Sequence, residues 1–384
     1  MGGAVRVIAS GVSRAGFVQS TLSWRAARVG WSLSGAMVPG ERAPRARGRS
    51  PARPVGRVHR RHPGAGDEGQ PMIRTEHPQR VGTPLVRWYS RRQLPWFHML
   101  LDAWGVNDQS RWQAAPMAEC RERCFGHRMR LDLSDFYQRL AFYYGCYHEL
   151  HVLGALDVLL REGEALVDAG ANIGLVTMHG AGLVGGSGRV DAFEPYGPVY
   201  DILEMHCALN GLDQVHLHRL ALSDRRLRTL VRLPDHANTG SATCGPIPAR
   251  YRVEPRTSTA EAAPLDEVLE DDDRPLVVKL DVEGFEHRVL SGMGRTLTRR
   301  RPAIILEVND EMLSMNRTSA SAITAHLDSL GYVAHRIHRG FWREANRMRF
   351  ERLEIVDDEP DALFVHPSSA HWDRLSGRGA RHLA

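Results

Sequence analysis

Residues 166–174 read LVDAGANIG. An apolar strand pattern runs into an acidic residue and a glycine-rich turn, and a helix pattern follows. A strand–turn–helix unit of this kind needs neighbouring strands on both sides, which commits the chain to a layered α/β architecture. Gly170 and Gly174 permit the tight backbone path and let main-chain N–H groups approach a ligand with no Cβ in the way. Asp168 closes the strand and faces the same crevice. A carboxylate there repels phosphate and suits a ligand bearing ammonium or hydroxyl groups; the same side chain could simply cap the turn.

The unit repeats. From about residue 160 short strands alternate with helices: LVDAGANIG, a helix through Val176 and Met178, VDAFEP, a helix over 199–210, then VHLHRLALSD. Residues 225–260 break the rhythm with one extended segment, LRTLVRLP, and a polar loop, HANTGSATCG. PLVVKLDVEG, PAIILEVND, VAHRIHR and DALFVHP complete the pattern, with helices FEHRVLSGMGRTL and SAITAHLDSLGY between them. The expectation is a seven-stranded, mostly parallel sheet with helices on both faces. Glu194 ends VDAFEP about twenty residues past Gly174, where an acidic side chain holds two ribose hydroxyls. A ribose-bearing cofactor with a charged amino acid tail suits both acids, and S-adenosyl-L-methionine is such a molecule.

Charge and composition bound the rest. A chain of 384 residues, 42% hydrophobic and 25% charged, has enough apolar content for one large core or two modest ones. No uninterrupted apolar run reaches the roughly 18 residues of a membrane span, and membrane insertion is not expected. The net charge of +5 suggests nucleic acid until it is located. Residues 1–66 hold 12 arginines against one acid, Glu41, with no apolar periodicity, so 1–71 reads as a disordered Arg-rich tail. It could be a basic arm, a targeting peptide or upstream sequence ahead of a start at Met72, and the last is favoured. Residues 72–150 read as a helical lead-in or cap, 151–370 as the cofactor-binding domain and 371–384 as a disordered tail. Trp88, Trp96, Trp104 and Trp112 recur every eight residues and read as one packed helical stripe. Five scattered cysteines read as reduced thiols in a cytoplasmic protein, because the Cys120/Cys124 pair lacks a second pair to complete a zinc site.

Several stretches together resemble the FkbM-type S-adenosylmethionine-dependent methyltransferases: VDAGANIG, AFEP, ALNG, ALSD, NTGSA, LDEVL, KLDVEGFEHRVLSG and RPAIILEVN, in that order. The resemblance spans residues 145–310, with a similar lead-in just upstream. It implies a Rossmann-like class I methyltransferase fold and a hydroxyl acceptor on a sugar, glycan or polyketide-type small molecule. It also implies that Asp168, Gly170, Asn172 and Gly174 hold the methionine end of the cofactor, Glu194 the ribose, and Asp224 the neighbourhood of the adenine. Turn capping accounts for Asp224 nearly as well.

The acceptor side belongs to KLDVEGFE and ILEVN, because ligands gather at the carboxyl ends of such strands. Lys279, Asp281 and Glu283 alternate onto one strand face, and Glu307 joins them from the next strand. Lys279 is the only lysine among 50 lysines and arginines, and a compact ammonium can be required where a guanidinium will not serve. Methyl transfer from a sulfonium is an in-line displacement in which placement matters most and a base removes the hydroxyl proton. Asp281 is the first choice for that base, with Glu283 orienting the acceptor. Asp281, Glu283 and Glu307 could instead share a divalent ion, a reading not favoured here. Glu286 reads as a helix cap or as catalytic. In the polar loop His236, Asn238 and Ser241 are candidates for acceptor contact, and Arg232, Arg250 and Arg252 for an acidic substrate or a solvated face. Two rivals remain: a cofactor-binding module without turnover, and a nicotinamide-dependent oxidoreductase, which would want a third glycine in the turn. No nucleic-acid partner is expected, and oligomeric state is not legible in the residues.

Overall fold

The computed structural model describes residues 83–234, 238–248, 254–339, 348–353 and 361–376. The expected Arg-rich tail, the start at Met72, His236, Arg250 and Arg252 lie outside them. The lead-in contains α1 (Thr83–Arg91), α2 (Phe97–Trp104), a hairpin of β1 (Met117–Arg121) and β2 (Arg128–Asp132), then α3 (Phe136–Tyr144) and α4 (Leu150–Leu159). Asp135 caps α3 by accepting from the Gln138 N–H at 2.9 Å, and Gly145 ends it in the left-handed region.

The repeating units follow as β3 (Ala165–Ala169), α5 (Leu175–Val184), β4 (Arg189–Phe193), α6 (Gly197–Asn210) and β5 (Val215–His218). β6 (Ala221–Leu222), β7 (Leu227–Leu233) and β8 (Arg256–Ala263) form a separate three-stranded sheet in the order β6-β8-β7. Then come α7 (Leu265–Val268), β9 (Leu276–Leu280), α8 (Glu286–Ser291), α9 (Gly294–Arg299), β10 (Ala303–Glu307), α10 (Asp310–Met315), α11 (Ala320–Ser329), β11 (Val333–Arg339), β12 (Met348–Arg352), β13 (Asp361–Val365) and α12 (Trp372–Ser376).

The main sheet has the order β12-β11-β13-β10-β9-β3-β4-β5. The run from β10 to β5 is parallel, and β13, β11 and β12 pair antiparallel. Strands buried on both faces read as continuous apolar runs, and β3, β9 and β13 are buried at every position. Val167, Ala169, Val278, Leu280, Ile304 and Leu306 pack under Val289, Leu297, Ile323 and Leu327 of α8, α9 and α11. Leu166, Val277 and Ile305 of the other face pack against Val152, Leu156 and Leu159 of α4 and Val176 and Val184 of α5. Strand order turns back at β3, which has β4 on one side and β9 on the other, and that switch point opens a crevice at the carboxyl ends.

The sheet has eight strands where seven were expected. The eighth, β12, has the sequence MRFER and an edge position with no residue fully buried, so it carries no apolar run. VHLHRLALSD is two strands in two sheets, because the chain leaves the main sheet between β5 and β6. LRTLVRLP pairs with β8, RTSTAEAA, whose small and polar residues gave no signal; seven register pairs along β7 hold it. The lead-in is not all helical, since it includes the β1–β2 hairpin. The four tryptophans do not share a stripe: Trp112 is buried, while Trp88 and Trp96 are 48% and 73% exposed. Part of the expected C-terminal tail, Trp372–Ser376, is helix α12, and Arg374 donates to Glu164 at 2.6 and 2.7 Å. Among the described residues no helix is long and apolar enough to cross a membrane.

Candidate active site

A cleft lies at the carboxyl ends of β3, β4, β9 and β10. Its floor is the glycine turn. Gly170 has φ +77°, and a Cβ there would sit 1.8 Å from the Asp281 carbonyl oxygen, so the turn and the β9 exit fit only with no side chain. The N–H groups of Gly170 and Ala171 donate to the Phe193 carbonyl at 3.0 and 2.9 Å, which pins the turn to β4. Asn172, also left-handed with φ 49°, donates its N–H to Glu194 Oε2 at 3.0 Å, and Tyr196 donates to Oε1 at 2.8 Å. Burial pushes the Glu194 carboxyl up to about 7 even with those two donors opposing it. Gly174, with φ +89°, opens α5; a Cβ would meet Leu203 Cδ1 at 2.6 Å, so helix packing explains this glycine and it does not line the cleft.

Asp168 lies beneath the cleft wall, fully buried. Its Oδ2 accepts from Thr177 Oγ1 at 2.6 Å, and its Oδ1 lies 3.9 Å from Lys279 Nζ. Burial raises its carboxyl, although Lys279 and Thr177 oppose the shift. Lys279, itself buried, donates to Asp281 Oδ2 at 2.7 Å. Desolvation acts to lower its ammonium, but Asp281 and Asp168 outweigh that and raise it. Burial is the largest influence on Asp281 and raises its carboxyl, but Lys279, Glu307 and His148 together outweigh it, so it ends below its ordinary value. Burial, then Asp281 and Glu283, push Glu307 well up, so one carboxyl of the Asp281–Glu307 pair keeps its proton while the other is ionised.

Lys279, Asp281, Glu283 and Glu307 all line the cleft. Carboxylate oxygens of Asp281, Glu283 and Glu307 lie within 4.8 Å of one another, a spacing open to a hard cation. The Lys279 ammonium already holds one of those oxygens. Glu283 adopts φ 51°, and its carbonyl accepts from Thr243 Oγ1 at 2.9 Å, which ties the strand exit to the polar loop. Glu286 caps a turn: its Oε1 accepts from the N–H groups of Val282 and Gly284, each at 3.1 Å.

In the loop Asn238 lines the cleft and its side chain accepts from Gly240 N at 2.9 Å, while Thr239 N donates to Asp135 Oδ2 at 2.7 Å. Ser241 is buried, donates to its own loop at the Asn238 carbonyl (2.8 Å), and stays off the cleft wall. Asp224 is not brought into the cleft; it accepts from Ser223 Oγ at 3.0 Å and from Arg288 at 3.3 Å. The chain turns away at β6, so Leu220, Ala221 and Leu222 form that wall instead, facing Phe193 and Pro195. Residue reading also missed Tyr137, Gln138, Tyr147, His148 and Glu149 of the lead-in, which close the opposite wall. The signal for Tyr147, His148 and Glu149 was the cluster YYGCYHE, too short to show a periodicity. Tyr147 donates to Glu149 Oε2 at 2.6 Å. Burial, with Asp361 and Asp281 nearby, pushes Glu149 up to about 7, and burial draws His148 down to about 4.

Residues 168–334 match the model of the methyltransferase FkbM domain. A search of curated proteins gave no match. Among solved structures the chain is similar to the methyltransferase FkbM from Methylobacillus flagellatus, at 15% identity and a TM-score of 0.34, covering 76% of this chain and 60% of that one. It is also similar to a SAM-dependent O-methyltransferase from Thermotoga maritima, at 14% identity and a TM-score of 0.30, covering 57% and 64%. An rRNA methylase from Streptococcus thermophilus gives 14% identity and a TM-score of 0.32, covering 57% and 94%. The chain thus spans less than two thirds of the first and second of these proteins. The acid cluster and the glycine turn from Asp168 onward fall inside the matched segment, and it is over residues 168–334 that the chain matches an FkbM-type methyltransferase domain.

Proposed function

We propose that the protein is an S-adenosyl-L-methionine-dependent O-methyltransferase acting on a hydroxyl of a sugar, glycan or polyketide-type small molecule. The observation that carries this reading is the pairing, in one cleft, of a ligand-sized glycine turn beside Glu194 with the Lys279–Asp281–Glu307 cluster. Gly170–Asn172 would hold the cofactor's methionine end, Glu194 its ribose hydroxyls, and Phe193, Pro195 and Leu220–Leu222 its adenine. S-adenosylmethionine supplies an electrophilic methyl group on sulfur. Asp281, kept ionised by Lys279, would accept the hydrogen bond of the acceptor hydroxyl, aim its oxygen at the methyl group and take the proton as the O–C bond forms and the methyl C–S bond breaks, leaving S-adenosylhomocysteine. Glu307 stays protonated and hydrogen-bonds beside it. The N–H groups of Asn172 and Tyr196, which hold Glu194, fix its carboxylate plane before any ligand arrives.

The test is titration of S-adenosylhomocysteine into the full chain by calorimetry, with Glu194→Ala alongside, followed by label transfer from methyl-tritiated S-adenosylmethionine to hydroxylated acceptors. Binding that weakens in the variant and label in an alkali-stable ether support the proposal. Absence of binding to the folded chain removes it.

A further inference from the structure

The chain carries 50 lysines and arginines and a net charge of +5, yet the described residues lining the cleft include a single base, Lys279, and five acids: Glu149, Glu194, Asp281, Glu283 and Glu307. Lys279 is committed to Asp281 and Asp168, and Glu194 to the turn. Of the three acids left, Glu283 and Glu307 stand at the ends of β9 and β10, and Glu149 alone stands on the lead-in wall. There Glu149 is held in place by the Tyr147 hydroxyl, and its Oε1 lies 3.8 Å from His148 Nε2. The two rings that touch it belong to an aromatic cluster centred on His148: Tyr137 and His148 have centroids 4.4 Å apart at 35°, and Tyr147 and His148 4.7 Å apart at 70°. His148 is neutral near pH 7 and adds no cation, while Glu149, pushed up to about 7, is ionised in part there and an adjacent ammonium favours its charged form.

Carboxylate beside aromatic faces is the chemistry that recognises an ammonium group, through charge-assisted hydrogen bonds and the ring quadrupole. A phosphorylated or carboxylated acceptor would instead meet like charge. We infer that the acceptor carries a cationic amine near its reacting hydroxyl, as an amino sugar does, and that Glu149 with Tyr137, Tyr147 and His148 seats that amine. The inference rests on the methyltransferase reading and deepens it. Tyr137 to Glu149 precede the matched domain, so the lead-in selects the acceptor while the domain supplies the cofactor site.

Saturation-transfer NMR on the full chain loaded with S-adenosylhomocysteine tests this near neutral pH, with methyl glucosaminide, methyl glucoside and methyl glucuronide as probes. The amine should bind on the order of tenfold more tightly than the neutral sugar, the worth of one charge-assisted hydrogen bond, and the glucuronide should show no transfer. Glu149→Gln should erase the amine's advantage and leave S-adenosylhomocysteine affinity unchanged, which also shows that the variant is folded. Equal transfer from all three probes, a preference for glucuronide, an amine preference that survives Glu149→Gln, or no transfer from any probe to a chain that binds S-adenosylhomocysteine would overturn the inference. Failure of the wild-type chain to bind S-adenosylhomocysteine would strike the methyltransferase reading itself.

Discussion

Replacing Lys279 by methionine removes the cation shared by the buried Asp168 and the half-buried Asp281. Its Nζ lies 2.7 Å from Asp281 Oδ2 and 3.9 Å from Asp168 Oδ1. At an effective dielectric of about 20 those contacts amount to roughly 6 and 4 kcal/mol of attraction, most of it offset by the cost of taking three charges out of water. The net price of deleting one partner from such a cluster is about 3–5 kcal/mol, because the survivors are left buried and uncompensated. Asp281 is held below its ordinary 3.8, so its contribution is present above that value and lost as pH falls through the lower folded value. Lys279 is raised above its ordinary 10.5, so its contribution is complete below 10.5 and lost only above that. The cluster is therefore intact at neutral pH. In Lys279→Met the carboxyls of Asp168 and Asp281 rise and take up protons, so the gap to wild type should narrow as the pH is lowered from 7 to 5. Urea unfolding of the full chain at both values, followed by circular dichroism, measures it. A loss under about 1 kcal/mol at pH 7, or a gap that does not narrow at pH 5, would refute the electrostatic account. Lys279→Arg keeps the charge but overfills the site, and should cost about 1–3 kcal/mol.

Further outcomes can be checked with the same protein. Gly170→Ala forces a Cβ to 1.8 Å from the Asp281 carbonyl at φ +77°, so calorimetry should find S-adenosylhomocysteine binding abolished and unfolding eased by at least about 2 kcal/mol. Glu194→Gln should weaken S-adenosylhomocysteine by about 1.5–3 kcal/mol, the worth of hydrogen bonds to a charged group; in wild type the affinity should rise as pH climbs through about 7, where Glu194 ionises. Glu149, Glu194 and Glu286, each pushed up from 4.5 to about 7, bind protons more tightly folded than unfolded. Their contribution should accordingly fall as pH rises across that window, against the opposite trend of His148 and His371, both lowered to about 4, so the stability advantage of wild type over Glu286→Gln in thermal melts at constant ionic strength should shrink as pH rises from 5 to 8. Asp135→Ala removes both the α3 cap and the anchor of Thr239 N. It should cost about 1–2 kcal/mol and speed amide exchange at Thr239 and Gly240.

The glycine turn, the parallel core and the convergence of Lys279, Asp281, Glu283 and Glu307 were legible in the residues because each is a local pattern. Apolar runs mark strands buried on both faces, positive-φ glycines mark the turn, and alternation along β9 sets which side chains share a face. What only the tertiary structure decided depends on contacts distant in sequence. The polar strand β8 is held by its register with β7, not by a core-facing stripe of its own. The departure of the chain into β6 moved Asp224 off the cleft and put Leu220–Leu222 in its place. Gly174 serves helix packing against Leu203, and Ser241 turns back into its own loop. The lead-in wall of Tyr137, Tyr147, His148 and Glu149 reaches the cleft only because α3 and α4 bring an aperiodic segment back over the strand ends. Periodicity reports which face of an element is buried, but it carries no information on which distant surface buries it. The glycine turn and the acid cluster, built from single strands and their exits, could thus be read from the chain, and the lead-in wall, built by long-range packing, could not.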